Sequence, residues 1–269
     1  MLLSFWVYLM IFTIGVCIGS FFNVVIDRWP KGKSIVKKRS HCEFCKRQLA
    51  PLDLIPIVSF LFLRGKCRYC HKKLSWQYPL VELATGFSLV LTFFLLRHIS
   101  FWPFFSKTDS IFYLLFTIYY LLTTCYFILI FIIDLKYEII IDDIINSAII
   151  ITIIYYFLIA FSFIIPALIS GVIVALFFRF LIFISRGRGL GEGDVKLGFW
   201  LGLLLGFPKI IPGLFMAFVL GAIIGLGLVF SGKKKFGQTV PLAPFLIIGT
   251  YISLFFGQQI IALYLKTFL

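Results

Sequence analysis

The feature that most limits what this chain can fold into is its series of apolar runs, each about the length needed to cross a bilayer, with the charges gathered between them. A helix needs about 20 apolar residues to cross a hydrocarbon core. Such runs fall at residues 3–26, 79–97, 111–133, 144–164, 165–185, 195–208, 210–231 and 245–265. The sixth is short, and Pro208 blurs its border with the seventh, so about eight spans are expected, with seven the alternative. With 61% hydrophobic and only 13% charged residues, and a mean hydropathy of +1.07, the chain has too few polar residues to coat a water-soluble core of this size. The expectation is an all-α polytopic membrane protein. The first run lacks a basic lead-in and a small-residue cleavage site, so it reads as a membrane helix rather than a removable signal.

A formal net charge of +14 raises the question of nucleic acid, but the basic residues sit in the loops between spans, as in cytoplasmic loops of membrane proteins. No nucleic-acid partner is expected; the partner surface is membrane lipid. Thirteen of the 25 Lys and Arg lie in residues 27–78. If that segment is cytoplasmic, twenty basic residues fall on its side of the membrane and four (Arg97, Lys107, Lys209, Lys266) on the other, with both termini outside. Arg179, inside the fifth span, would snorkel to its cytoplasmic end. The domain expectation is a first transmembrane helix at 1–26, a small cytoplasmic four-cysteine domain at 27–78, and a helical bundle at 79–269, with no convincing internal repeat.

Cys42, Cys45, Cys67 and Cys70 form two C-x2-C pairs separated by 21 residues. Each pair presents two thiolates from one turn, and two turns complete a tetrahedral zinc site. A cytoplasmic loop keeps thiols reduced, and a segment of this length gains much of its stability from a metal. Structural zinc is therefore expected on these four residues, with His41 and His71 as solvated neighbours rather than ligands. Cys17 and Cys125 are expected to be packing residues within spans.

Only 11 residues are acidic, so their placement is informative. Asp134 closes the third span, and Asp194 closes Gly191-Glu192-Gly193-Asp194 just before the sixth. Both are expected at the cytoplasmic membrane face. Two adjacent carboxylates share a proton, the ionised one activating water while the protonated one polarises a scissile carbonyl. Carboxylates at span ends also occur as solvated termini, and an acid at a helix N-terminus is favoured by the dipole alone; spacing leaves both readings open. Asp142 and Asp143 read as an interfacial turn or N-cap, and Asp109 as an outer-loop residue.

The combination resembles the type 4 prepilin peptidases over nearly the whole chain. The matching stretches are Gly19-Ser-Phe-Phe-Asn23 through Arg28-Trp-Pro30, Ser40-His-Cys42-Glu-Phe-Cys45, Asp53 through Cys70, Ser75-Trp-Gln-Tyr78-Pro79-Leu-Val-Glu82, Asp134-Leu-Lys136, Gly191 through Leu197, and Val240-Pro241-Leu-Ala-Pro244-Phe245. The resemblance implies a bifunctional enzyme of the bacterial cytoplasmic (inner) membrane. Its bundle would be a Gly-x-Gly-Asp aspartyl endopeptidase with Asp134 and Asp194 as the catalytic pair. It would cut the short basic leader from prepilins or pseudopilins of pilus, secretion or competence systems. The loop domain would then methylate the new N-terminal amine with S-adenosylmethionine; Glu82, Gly65, Lys66 and Asn23 are the candidate positions for that site. Glu82 could receive a substrate ammonium or be a solvated helix-end carboxylate, and Gly65-Lys66 could be only the turn before the second cysteine pair.

The chain departs from the family pattern at Ile141, Gln77 and Ala243, where Pro, Arg and Gly are common. Gln77 bears on methylation. The alternative readings are a peptidase without methylation, a transporter using the two aspartates as a proton relay, and a zinc-stabilised scaffold.

Overall fold

The computed structural model describes residues 2–37, 39–98, 110–187, 189–233 and 240–268. Asp109, Lys107, Arg188, Lys234 and Lys235, which enter the reading above, lie outside the described residues. Among the described residues the regular structure is helical: α1 (Leu2–Arg28), the short α2 (Val58–Phe62), α3 (Gln77–His98), α4 (Ser110–Tyr137), α5 (Asp142–Ile159), α6 (Ile164–Ser185), α7 (Glu192–Leu205), α8 (Ile210–Phe230) and α9 (Ala243–Phe268).

Seven of these helices are long and apolar enough to cross a membrane. The other two are α2, of five residues, and α7, in the place of the expected sixth span. Its 14 residues reach about 21 Å at 1.5 Å per residue, short of a hydrocarbon core of about 30 Å. An apolar run does not reveal whether lipid or protein will surround it, and here protein does: Leu197, Trp200, Leu201, Leu203 and Leu204 are all buried. Close packing on α6 explains the glycines of this run. A Cβ on Gly202 would lie 2.8 Å from the Ser170 carbonyl oxygen and 2.9 Å from Gly171 Cα. Small residues at such contacts let backbones approach where no hydrophobic force separates helix from lipid.

The chain divides into two compact units, one made of Met1–His98 with Tyr120–Leu129, the other of Ile99–Tyr119 with Ile130–Leu269. In the first, α1 and α3 pack through Gly15 and Gly86; a Cβ on Gly15 would sit 2.8 Å from Gly86 Cα. Thr92 and Thr124 share a 2.8 Å hydrogen bond. The four-cysteine segment belongs to this same unit. In the second, Trp200 Nε1 donates to Thr152 Oγ1 at 2.9 Å, and Tyr156 OH to the Leu203 carbonyl at 3.0 Å. Polar atoms in a medium without water are thereby satisfied internally.

Two smaller expectations change. Cys17 is exposed on α1, while Cys125 is buried; helix periodicity, not apolarity, decides which face of a span packs. The N-cap of α5 is Ile141, which places Asp142 one residue inside the helix. Arg179, near the end of α6, also pairs with Glu192 in the first turn of α7.

Candidate functional site

In the second unit, α4 ends in a turn built around Asp134. Glu138 adopts φ +53° and returns its N–H to the Asp134 carbonyl at 2.9 Å. The Asp134 side chain is only 6% exposed, and its Oδ2 accepts the N–H of Ala243 at 3.1 Å. Ala243 is the first residue of α9, so one of the helix's orphan donors is satisfied by a carboxylate, which the positive helix end also favours.

Asp194 lies in the first turn of α7 and folds back on that turn, accepting the Gly191 N–H at 2.8 Å. Burial raises its carboxyl above the ordinary carboxylate range, and the Gly191 N–H pulls the other way. Gly193 brings this turn against the segment that leaves Asp134: a Cβ there would lie 2.8 Å from Ile140 Cβ. Two ion pairs hold the same turn from its flanks, Arg179 on α6 with Glu192 and Lys196 with Asp142 on α5, the latter at 2.6 Å. Exposed pairs of this kind contribute little to stability; here they fix the azimuth of a turn. The turns that carry Asp134 and Asp194, 60 positions apart in sequence, therefore meet through Gly193 and Ile140.

In the first unit, the Sγ atoms of Cys42, Cys45, Cys67 and Cys70 all lie within 4.8 Å of one another. A zinc tetrahedron with Zn–S of about 2.3 Å has S···S edges of about 3.8 Å, the Cys42–Cys70 separation. The two pairs form matching knuckles. Cys42 N–H bonds the Arg47 carbonyl and Cys67 N–H the Lys72 carbonyl, at 3.0 and 2.9 Å. Lys46 and His71 occupy the equivalent left-handed positions at φ +57° and +54°. The knuckles clasp reciprocally, Arg47 over the Tyr69 ring at 4.3 Å and Lys72 over Phe44 at 5.0 Å. Residues 41–49 and 66–74 are therefore a short structural duplication, where no convincing repeat was expected from sequence. Burial opposes ionisation of Cys67, but the N–H groups of Cys70 and Tyr69 together with the Cys42 and Cys70 sulfurs lower the thiol to about 7. The Lys72 N–H favours the Cys70 thiolate, yet burial and the neighbouring sulfurs hold that thiol up at about 11. Four sulfurs this close require a dication to ionise together. His41 Nδ1 is engaged with the Arg39 carbonyl at 3.2 Å, away from the sulfur set.

Beside this cluster lies a cavity of about 950 Å³ whose lining includes Asn23, Asp27, Tyr78 and Glu82. Asn23 Nδ2 donates to the Tyr78 carbonyl at 3.0 Å, and Tyr78 OH donates to Asp27 at 3.2 Å. Gln77, at the position where Arg is common, reaches both Asn23 and Asp27 at 3.4 Å. Glu82 is 6% exposed and accepts the Ile57 N–H at 2.7 Å. Gly65 and Lys66 are not among the lining residues; Gly65, at φ +68°, turns the chain beneath the Phe60 ring into the second knuckle.

Comparison with known proteins follows this division. Residues 13–96 match the Bacterial Peptidase A24 N-terminal domain, and residues 120–226 match the Type IV leader peptidase family. A prepilin leader peptidase/N-methyltransferase of Bacillus subtilis (strain 168) is 30% identical over 264 residues, 95% of this chain and 97% of the relative. The chain belongs to the prepilin leader peptidase/N-methyltransferase family. A member from Stutzerimonas stutzeri is 28% identical over 280 residues, 94% of this chain and 92% of the relative. One from Myxococcus xanthus (strain DK1622) reaches 51% over 76 residues, 28% of this chain and 23% of the relative. No solved structure matches.

Several residues around these family sites escape a sequence reading. The Ala243 donor to Asp134 and the Ile57 donor to Glu82 are backbone groups, which any residue other than Pro supplies. Ile140 is one apolar residue among many. Asp27 and Tyr78 carried a signal, since polar side chains are scarce near span ends, but their convergence required the fold.

Proposed function

We propose that this chain is a bifunctional prepilin-processing enzyme, cleaving the leader with Asp134 and Asp194 and methylating the exposed N-terminal amine in its first unit. The observation that carries the peptidase reading is the packing of the Asp194 turn on the segment that leaves Asp134, through Gly193 and Ile140, with one carboxylate anchored by the α9 N-terminus and the other by its own Gly191 N–H. Two such carboxyls cannot both ionise cheaply. The ionised one removes a proton from water, whose oxygen attacks the scissile carbonyl carbon; the protonated one donates to the carbonyl oxygen, and collapse of the tetrahedral adduct expels the amine. Membership of the Type IV leader peptidase family supports the same reading.

For methylation, S-adenosylmethionine would supply an electrophilic methyl group. The cavity of the first unit is large enough for a ligand of that class, and its lining combines acidic residues (Asp27, Glu82) with basic ones (Arg28, Lys73), which suits a zwitterion. Asn23 and Glu82 are the candidate contacts, with Gly65 and Lys66 supporting the adjoining knuckle. Zinc on the four cysteines would hold the segment bordering the cavity.

The substrates would be prepilins or pseudopilins whose apolar helix lies in the bilayer and whose basic leader is cytoplasmic. The excess of Lys and Arg in residues 27–78 supports a bacterial cytoplasmic membrane location with both termini outside. The peptidase-only, transporter and scaffold readings are not favoured by the family match. Incubating the purified protein with a prepilin and labelled S-adenosylmethionine tests the whole reading. Leader release and label in the trimmed product are expected; an uncleaved prepilin overturns it.

A further inference from the structure

The cavity of the first unit has a polar wall made by two helices. Ser20, Asn23 and Asp27 follow at i, i+3 and i+7 along α1, and Tyr78 and Glu82 at i and i+4 along α3; all five line the cavity, as helical spacing onto one face requires. Glu82 is the most constrained member. A Cβ on Gly19 would lie 2.7 Å from Glu82 Cα, so α1 presses on the backbone that carries it. Its carboxylate accepts the Ile57 N–H at 2.7 Å, and Ser20 shares the cavity wall with it.

The Ile57 donor comes from an unusual turn. Ile57 has φ +59° and ψ −51°, and the Val58 N–H bonds the Pro56 carbonyl at 2.5 Å. That is a γ-turn of the rare positive-φ form, with a β-branched residue at its centre, where the left-handed side of backbone space is most costly. Strained backbone persists where its surroundings hold it, and it collects at ligand sites. Here the strain aims one N–H at one buried carboxylate. Among the described residues no Lys or Arg pairs with Glu82. A carboxylate has about four acceptor positions, so the Ile57 donor leaves room for a ligand.

We propose that Glu82 is the receptor for a primary ammonium group entering this cavity, with the Ile57 turn as its positioning element. The inference rests on the methyl-transfer reading above. That reaction brings two primary ammonium groups, the N-terminus of the methyl-accepting peptide and the α-amino group of the methyl donor. Both offer N–H donors to a carboxylate; the donor's sulfonium offers none.

The test uses the full chain in detergent. One probe is a peptide with the sequence that follows the cleavage point of a prepilin, prepared with a free or an N-acetylated terminus; the other is labelled S-adenosylmethionine. The wild type is expected to prefer the free-amine peptide by about tenfold or more, the range of a charge-assisted hydrogen bond. Glu82→Gln should erase that preference, leaving both peptides bound as the acetylated one is, with donor binding unchanged. If instead donor binding falls by that factor while the peptide preference stays, Glu82 still receives an ammonium, and it is the donor's. Should neither change, the inference is overturned. A Glu82→Gln protein that fails to accumulate is replaced by Glu82→Asp, one methylene shorter, where an undiminished preference for either ammonium overturns it equally. A wild type that transfers no label to the free-amine peptide removes the methyl-transfer reading itself, whereas intact transfer with no effect of Glu82→Gln removes only this inference.

Discussion

Gly193→Ala adds a single methyl to the turn that carries Asp194, and its effect can be worked from the packing. The new Cβ would lie 2.8 Å from Ile140 Cβ, with Ile140 Cγ1 and Cδ1 at 3.4 Å. Carbon atoms rest at about 3.5–4.0 Å, so the turn and the 138–141 segment must separate by about 0.7–1.2 Å. The offending atom is a Cβ, which no rotamer change can move. Those are the two pieces of chain that set the Asp134–Asp194 relation. A misplacement of about 1 Å in a catalytic constellation costs about 100-fold in rate, while local overpacking costs about 1–3 kcal/mol of stability. Gly193→Ala is therefore expected to insert and fold yet cleave a prepilin about 100-fold more slowly. Methylation of an already trimmed peptide, in the other unit, should be unchanged. Ile140→Gly removes the clashing atom, so the double variant Gly193→Ala/Ile140→Gly should regain much of the lost rate. Initial rates of leader release, followed by gel shift or mass spectrometry, decide the matter. A Gly193→Ala enzyme cleaving at the wild-type rate, or a double variant no faster than Gly193→Ala when Ile140→Gly alone is active, refutes the reasoning.

Two further predictions address the supports of each site. Ala243→Pro deletes the N–H that Asp134 accepts among the described residues, at a first helical position where Pro is otherwise tolerated; a hydrogen bond to a charged group of about 1.5–3 kcal/mol implies a loss of cleavage of about tenfold or more, read in the same assay with the helix content unchanged by circular dichroism. Cys42→Ser and Cys67→Ser should each lose bound zinc by elemental analysis and lose methylation far more than cleavage, and chelation of the wild type should do the same; equal loss of both activities would refute the division of labour between the units.

The parts of this fold that could be read from sequence are those where chemistry-bearing side chains are scarce. Asp134 and Asp194 stood out because so few residues are acidic, and the four cysteines because two short spacings fix a ligand geometry that no apolar packing reproduces. The character of α7 could not be read. Its apolar run looks like a span, and only the contacts of Gly202 and Gly171 show that a neighbouring helix, rather than lipid, receives it. The knuckle duplication was hidden because its members match in shape and charge rather than identity, Arg47 with Lys72 and Phe44 with Tyr69. Gly65-Lys66 read from sequence as a binding pair or a turn; Gly65 does adopt the positive φ of a turn beneath Phe60. Backbone donors leave no mark at all: nothing about Ile57 or Ala243 as residue types announces that its N–H holds a carboxylate.

The most direct test is cleavage by Asp134→Asn and Asp194→Asn, each isosteric and each measured beside methylation of a pre-trimmed peptide by the same preparation. Both variants are expected to release no leader while still transferring the methyl group. Cleavage at an undiminished rate by either one would contradict a shared role for the two carboxyls.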